Sequence, residues 1–548
     1  MRIIPLGGLD GIGKNMTVFE YGSDLIVVDA GLMFPDDDHP GVDLILPDYT
    51  YLLENSDRLR AIIITHGHED HTGALPYLLK DLDRRDVPIM GSKLTLGFIA
   101  GKFEEHRIKN PRYREISAGD HVVIGNFSCD FFSVNHSIPA ALGLFIKTPA
   151  GTVLHTGDFK LDQTPIDGVR TDFAAITRFA ASGVDLLISD STNAVNRDFT
   201  KSEAEVGKAL RQIISGANQR VIVASFSSHI HRIQQVCDAA RSAGRKVAVT
   251  GRSMLTNTRI ARELDYLKVN EADLIDAYNA KDIPSERIVI LCTGSQGEPL
   301  SALARMANGE HRTVEIEEGD TVIISATPVP GNEKAVTRVI NALSKIGADV
   351  YDKKRALVHV SGHAGAEELK LILTLAQPSY VLPVHGEAQH LRAHAKLAKD
   401  VGIPAGNVFV LENGDTLLLG EGKITKGDPV ESGVVYVDGL SVGDIDAVVL
   451  KDRQTLSSDG IVTIVCLMRA GSKPAGKPEV IMRGVSGGDD PGLISDLSTR
   501  AEQMISKFAS DQRKNPSTLK RELREAISST LWERTRRRPM VIPIIMDV

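Results

Sequence analysis

Between residues 65 and 71 the chain reads Thr65-His66-Gly67-His68-Glu69-Asp70-His71, with three imidazoles and two carboxylates in six consecutive positions directly after an apolar run. Imidazole nitrogen and carboxylate oxygen are donors that zinc and similar first-row ions take, and a carboxylate also offsets an ion's charge. Packed together without a metal, protonated His66, His68 and His71 would repel one another. One ion would leave several of these donors idle, so the stretch points to two adjacent ions and to metal-assisted hydrolysis.

Such donors need rigid supports, and the sequence offers them. Short β-branched runs that end in a polar residue recur at Leu25–Asp29, Ala61–Thr65, Val153–Thr156 and Asp185–Ser189, and they read as buried strands with chemistry at their ends. Further His and Asp residues follow apolar runs: His136 in Val134-Asn-His136-Ser-Ile138, Asp158 in Thr156-Gly-Asp158-Phe-Lys160, Asp190 in Ile188-Ser-Asp190, and His385 in Leu382-Pro-Val-His385. From Ser202-Glu-Ala-Glu205, which has the form of a capping box, Val206, Leu210, Ile213 and Ile214 follow helical spacing. Strands at Arg220–Ala224, Lys246–Val249, Arg287–Leu291 and Thr321–Ser325 then alternate with helices, among them Glu333–Ile346 stopped by Gly347, which predicts a second, largely parallel sheet.

With 548 residues the chain exceeds what one core usually supports, so several domains are expected. No apolar run approaches the roughly 20 residues that span a bilayer, so no membrane association is expected. The start, Met1-Arg-Ile-Ile-Pro5, lacks the zones of a signal peptide, so a cytoplasmic location is expected. Its four cysteines, Cys129, Cys237, Cys292 and Cys466, are spaced too widely for a C-x-x-C knuckle and read as reduced thiols. The net charge of -8 excludes indiscriminate collection of polyanions, so any nucleic acid must be gripped locally. Gly7 to Lys14 lacks the spacing of a nucleotide loop and reads as a tight strand connection.

The H-x-H-x-D-H arrangement is similar to the signature of the metallo-β-lactamase superfamily of hydrolases. The resemblance implies that His66, His68, His136 and Asp158 hold one ion and that Asp70, His71, Asp158 and His385 hold the other, with Asp158 bridging. Asp29, closing an early strand, would orient a ligand from behind. Because His385 lies far beyond the helix-rich segment, that segment reads as an insertion, which resembles the β-CASP subgroup of nucleic-acid hydrolases; its extra motifs match Asp190, His363 and His385. Asp190 and His363 would then protonate the departing O3′ and stabilise the oxyanion, with Asp70 also catalytic.

From Ile4-Pro-Leu-Gly-Gly-Leu to Arg536-Arg-Arg-Pro-Met-Val-Ile-Pro543 the chain resembles the ribonuclease J family, with further matches at Ser189-Asp-Ser-Thr-Asn193 and Ser228-His-Ile-His-Arg232. The fold implied is an α/β one: a metallo-β-lactamase αββα sandwich with an inserted α/β β-CASP domain and a small α+β C-terminal domain. Its divisions fall at 1–205 and 353–420 for the hydrolase domain, 206–352 for the insertion, 421–450 for a linker and 451–548 for an oligomerising unit. The activity implied is hydrolysis of single-stranded RNA, 5′-to-3′ with preference for a 5′-monophosphate and also endonucleolytic, in mRNA decay and rRNA maturation. Two zinc ions per subunit are implied, with manganese or magnesium as alternatives in the working enzyme. A homodimer or homotetramer and RNA-degradation partners are implied too.

Ser227, Ser228 and His229, with His359, Ser361, Gly362, His363 and Ala364, lie in strand-end turns that offer hydroxyls, imidazoles and backbone N–H groups, a cradle for a terminal phosphate. A structural calcium is implied by the family at the Gly41 carbonyl, Asp43 and Asp438, all hard oxygen donors. Arg534, Arg536, Arg537 and Arg538 precede an apolar Met540–Met546 run, which suits RNA phosphates or a subunit interface. The rival readings are a related nuclease acting on tRNA ends or DNA, and a non-hydrolytic RNA-binding scaffold.

Overall fold

Leu25 to Val28 and Ala61 to Ile63 are entirely buried, which is what a strand covered on both faces requires. In a computed structural model of the protein, which describes residues 1–82, 84, 86–298, 300–329, 331–439, 441–469, 473–509 and 516–547, they lie in parallel neighbours, Asp24–Val28 and Leu59–Ile63. Around that pair runs an eight-stranded sheet in the order Lys423–Gly427, Thr416–Gly420, Arg2–Gly7, Met16–Tyr21, Asp24–Val28, Leu59–Ile63, Pro88–Gly91, Arg112–Glu115. A six-stranded sheet follows the order Tyr380–Val384, Leu186–Asp190, Gly151–His155, Leu142–Thr148, Phe127–Ser133, His121–Ile124.

The two sheets share one core, where Ile3, Phe19, Ile26 and Ile63 pack with Phe131, Leu144, Val153, Ile188 and Leu382. Each such side chain contributes about 1.5–3 kcal/mol by leaving water. Helices Phe173–Ser182, Ala366–Ala376 and Ala388–Asp400 pack on the second sheet through Ile176, Leu369, Ile372 and Ala398, and Lys93–Glu105 packs on the first. This is the αββα sandwich. Strand Tyr380–Val384 pairs with Leu186–Asp190 although nearly two hundred residues separate them, and the chain between forms a sheet of its own.

That inserted sheet is wholly parallel, in the order Leu274–Asp276, Lys246–Thr250, Ile288–Cys292, Val221–Ala224, Thr321–Ile324, Asp349–Tyr351. Helix Glu333–Ile346 has the bounds its spacing predicts, and Gly347 caps it in the left-handed region. Ser202 caps helix Glu203–Gly216 by accepting from Ala204 N, and Glu203 is drawn into the interior instead of solvating the first turn.

The segment Glu421–Pro429, read as part of a linker, instead contains the strand Lys423–Gly427, paired antiparallel with Thr416–Gly420 across a turn at Glu421 and Gly422. Its alternation is weak because it is an edge strand, with Ile424 its one buried side chain. The chain divides into two compact units, Met1–Met33 with Ile45–Val434, and Phe34–Leu44 with Val435–Val548. In the second unit Ile461–Arg469 pairs antiparallel with Glu479–Arg483 and parallel with Met540–Asp547, and helices Pro491–Ala509 and Pro516–Thr535 cover one face of this sheet. No helix among the described residues is long and apolar enough to cross a membrane.

Candidate metal centre and active site

Asp29 ends its strand in the left-handed region at φ 63°, and its carboxylate turns back over the next strand end. Its Oδ1 accepts from Thr65 N at 2.8 Å and its Oδ2 from His71 Nδ1 at 2.7 Å. A carboxylate can only accept, so His71 carries its proton on Nδ1 and aims the Nε2 lone pair inward. The same logic fixes His136, whose Nδ1 lies 2.8 Å from the Gly362 carbonyl and must donate to it. On the far side of the cluster His385 sits at φ 54°, its N–H held by the Gly8 carbonyl at 2.7 Å, so the connection after Gly7 is a brace for this turn.

The geometry gathers the seven expected ligands into two groups. His66 Nε2 lies 3.0 Å from His68 Nδ1, and His136 Nε2 lies 3.1 Å from the same His68 nitrogen. Asp158 Oδ2 stands 3.8 Å from both His66 Nε2 and His136 Nε2. In the second group His71 Nε2 is 3.1 Å from Asp158 Oδ2 and 3.6 Å from Asp70 Oδ2. His385 Nε2 is buried without a hydrogen bond; Asp70 Oδ2 is 3.2 Å from it but too poorly aligned to make one.

These residues fit a pair of metal ions. A tetrahedral ion with ligands at about 2.0 Å has donor–donor edges of roughly 3.3 Å, the spacing seen in both groups. Bare nitrogens facing one another at such distances have no partner of their own. Burial, then the neighbouring imidazoles, hold His66 and His136 well below the usual histidine range, and burial brings His68 to about 4, so all three stay neutral as ligands must. In the second group burial opposes charge, but Asp158, Asp29 and Asp70 raise His71, and Asp158 and Asp70 lift His385 to about 10. The carboxylates there call for positive charge, which a divalent ion supplies.

Beside the second group, His363 Nδ1 donates to Asp190 Oδ2 at 2.8 Å, while Thr192 N and Oγ1 bind Asp190 Oδ1 at 2.9 and 2.8 Å. Thr192 Oγ1 also lies 3.0 Å from the His385 carbonyl, tying the two strand ends together. Asp190 is buried, and the His363 side chain is 19% exposed, so of the two it is His363 that can meet a substrate.

The expected phosphate cradle is placed unevenly. Ser227 and Ser228 are half-buried, and Ser227 Oγ accepts from Asn257 Nδ2. His229 turns away: Nε2 lies 3.3 Å from Glu203 Oε1 and Nδ1 accepts from Arg232 N, so both nitrogens are engaged and the side chain is buried. Burial pushes it to about 4, so this neutral histidine caps helix Ile230–Ser242 rather than facing a phosphate. Glu203 also binds Arg232 Nη2 at 2.7 Å in the same buried network. His359 keeps a buried Nδ1 without a partner, Ser361 Oγ accepts from His363 N, and the Ala364 side chain packs into the core, leaving only its backbone to a ligand.

The oxygens implied for calcium are already engaged. Arg453 donates to the Gly41 carbonyl at 2.9 Å and to Asp438 Oδ2 at 2.6 Å, and Asp43 Oδ2 accepts from Gly439 N. With a guanidinium among them the set does not fit a calcium ion. The basic tail is engaged as well: Arg534 pairs with Asp496, Arg537 with Asp459, and Arg536 and Arg538 lie over Trp532.

Residues that position the site without a chemical signature went unread in the sequence. Asn15, Thr65 and Thr192 belong here, as do Lys160, Thr200 and Glu368. For the first three the signal was adjacency to a ligand or a strand end, for Lys160 its place two residues after Asp158, and for Glu368 its capping spacing from Gly365; for Thr200 no local signal exists.

Four family models match the chain: "Beta-lactamase superfamily domain" over residues 26–213, "Ribonuclease J, beta-CASP domain" over 218–343, "Zn-dependent metallo-hydrolase RNA specificity domain" over 347–410, and "Ribonuclease J C-terminal domain" over 448–548. The chain is 44% identical to ribonuclease J of Mycolicibacterium smegmatis, covering 100% of this chain and 97% of that one. It is likewise 44% identical to ribonuclease J of Thermus thermophilus, over 100% and 95%. Ribonuclease J2 of Bacillus subtilis is 41% identical over 100% and 99%. Among solved structures, a protein of unknown function from Enterococcus faecalis aligns with a TM-score of 0.53 at 16% identity, over 76% of this chain and 99% of that one, a likeness of fold alone.

Proposed function

Because this chain belongs to the ribonuclease J family and is a metal-dependent ribonuclease, we propose that it degrades RNA from a 5′-monophosphate end in the 5′-to-3′ direction and also cleaves internally. The observation that carries this reading is the buried cluster of His and Asp donors beside the partly exposed His363–Asp190 pair. Decay of mRNA and maturation of rRNA are the tasks that such an activity serves, in the cytoplasm and with RNA-degradation partners.

His66, His68 and His136 with Asp158 form one ion site, and Asp70, His71 and His385 with Asp158 form the other. Two zinc ions, or manganese or magnesium in the working enzyme, would acidify a water and neutralise charge on the phosphoryl oxygens. Hydrolysis joins a water oxygen to phosphorus and breaks the P–O3′ bond, leaving a 5′-phosphate on the retained chain. Asp70, whose carboxylate is 29% exposed, takes up a proton from the attacking water. His363 gives a proton from Nε2 to the departing O3′, because its Nδ1 is committed to Asp190. Burial resists charge on His363, but the Asp190 and Asp158 carboxylates raise its pKa, which keeps that proton available.

The 5′-phosphate rests on Ser227, Ser228 and Ser361 with the backbone N–H groups of Gly362 and Ala364, the His363 N–H being held by Ser361 Oγ, and His359 offers its unpaired nitrogen. A hydroxyl and oriented N–H groups suit a terminal phosphate dianion. The protein acts as a homodimer or homotetramer through its C-terminal unit.

End-labelled RNA digestion tests the reading. Asp70→Ala should abolish hydrolysis while the fold persists, and Ser361→Ala should reduce discrimination between 5′-monophosphate and 5′-hydroxyl RNA more than it reduces internal cleavage. Turnover in metal-stripped protein, or equal loss in both assays, would count against it. Faster cleavage of a matched DNA would favour a related nuclease of other specificity.

A further inference from the structure

The turn Ser361-Gly362-His363 is held by its own carbonyl oxygens. Lys160 Nζ donates to Ser361 O at 3.2 Å, His136 Nδ1 to Gly362 O at 2.8 Å, and Thr200 Oγ1 to His363 O at 2.7 Å, with Asn193 Nδ2 on the same oxygen at 3.2 Å. Three successive carbonyls are therefore bound from residues 136–200, and the turn has little freedom to slide. A Cβ at Gly362 would stand 2.8 Å from the His136 ring, so the contact requires glycine.

Just beyond the turn, a fully buried carboxylate gathers the same strands of chain. Glu368 Oε2 accepts from Gly365 N at 2.7 Å and from Thr200 N at 2.8 Å, and Oε1 accepts from Leu161 N at 2.7 Å. A buried carboxylate is costly unless donors saturate it, and each N–H it leaves behind on removal is costly in turn. Thr200 is bound at both ends, its N–H to Glu368 and its hydroxyl to the His363 carbonyl. Through it the buried carboxylate reaches the residue whose imidazole lies beside Asp158 and Asp190.

We propose that Thr200 and Glu368 are positioning residues for His363: they fix its backbone so that the imidazole, anchored at Nδ1 on Asp190, presents Nε2 to the leaving oxygen. The inference rests on the reading of His363 as the group that protonates O3′. Misplacement by about 1 Å of a group that must meet the transition state costs on the order of 100-fold in rate, so loss of either anchor should be felt in turnover.

Thr200→Val removes the donor and keeps the shape, Thr200→Ser restores the hydroxyl, and Glu368→Gln removes the charge. On a 5′-monophosphorylated oligoribonucleotide, Thr200→Val and Glu368→Gln should lower kcat roughly 10- to 100-fold with KM and bound metal little changed, and Thr200→Ser should recover. On the same RNA with sulfur replacing the bridging O3′, the thiolate leaves without a proton, so both variants, and His363→Ala, should approach the wild-type rate. Should Glu368→Gln not fold, the Thr200 pair decides. Wild-type turnover by Thr200→Val on the oxygen linkage, or an equal loss on the sulfur one, overturns the inference. An undiminished rate in His363→Ala, or no rescue of it by sulfur, is the separate outcome that removes the acid assignment.

Discussion

Asp29 is buried and stands outside both groups of candidate donors, yet it sets the tautomer of His71 by accepting from Nδ1 at 2.7 Å. An outer carboxylate of this kind raises the basicity of the ligating nitrogen and fixes its direction. Asp29→Asn keeps one acceptor where two are used, so either Thr65 N or His71 loses its partner. Metal affinity should drop about 10- to 100-fold, read by chelator competition, with excess metal restoring kcat toward wild type. Unchanged affinity would remove Asp29 from that role. Residues like His66 or Asp158 were legible because few side chains ligate metals and they stand at strand ends. Glu368 was legible at most as a helix-capping glutamate three residues after Gly365, since its partner Leu161 N lies 207 residues away and nothing local shows that its carboxylate is buried. The inward turn of His229 was hidden for a related reason: its neighbour Glu203 is remote in sequence, and only the fold brings the two side chains together.

Elements were legible where one periodicity dominated. Helix Glu333–Ile346 announces itself by spacing and by Gly347, whereas the edge strand Lys423–Gly427 buries a single side chain and shows too little alternation to be told from a loop. The turn at Gly41–Asp43 is subtler, because its oxygens suit a cation and the cation turns out to be covalent. Gly41 lies at φ +74°, where a Cβ would come within 2.8 Å of Arg453 Nη1, so glycine and guanidinium fit together. Arg453 and Asp438 are about a third exposed, which limits the pair to about 1 kcal/mol. Added calcium should leave the wild-type melting midpoint unchanged. Arg453→Ala should melt lower and regain stability as calcium is added, since Asp43, Asp438 and the Gly41 carbonyl are then free to bind it. Stoichiometric calcium binding by the wild type in calorimetry would show that Arg453 does not substitute for the ion.

At the scale of the molecule, the tail that precedes Met540–Met546 could be read as an RNA contact or an interface, and the register of the C-terminal sheet favours the second. Thr463 pairs with Ile481 and Ile542, Val465 with Ile544, and Leu467 with Met546, so these side chains share the face opposite the two helices. Ile481 is 41%, Ile544 38% and Met546 50% exposed in a single chain, a row of apolar groups on the edge strand and its neighbours. The homo-oligomer proposed above would lay this apolar row against a second copy, where a twofold pairing would bury the same row twice. The arginines nearby are partly engaged by Asp459, Asp496 and Trp532, through exposed contacts worth about 1 kcal/mol or less each. Ile544→Asp adds a charge that the isolated chain tolerates at the surface but that a paired face must desolvate, at several kcal/mol for each copy. Sedimentation should shift from dimer or tetramer to monomer with the melting of the inserted sheet unaffected; a wild-type monomer, or a variant that assembles as before, would mean that this face serves something other than a second copy.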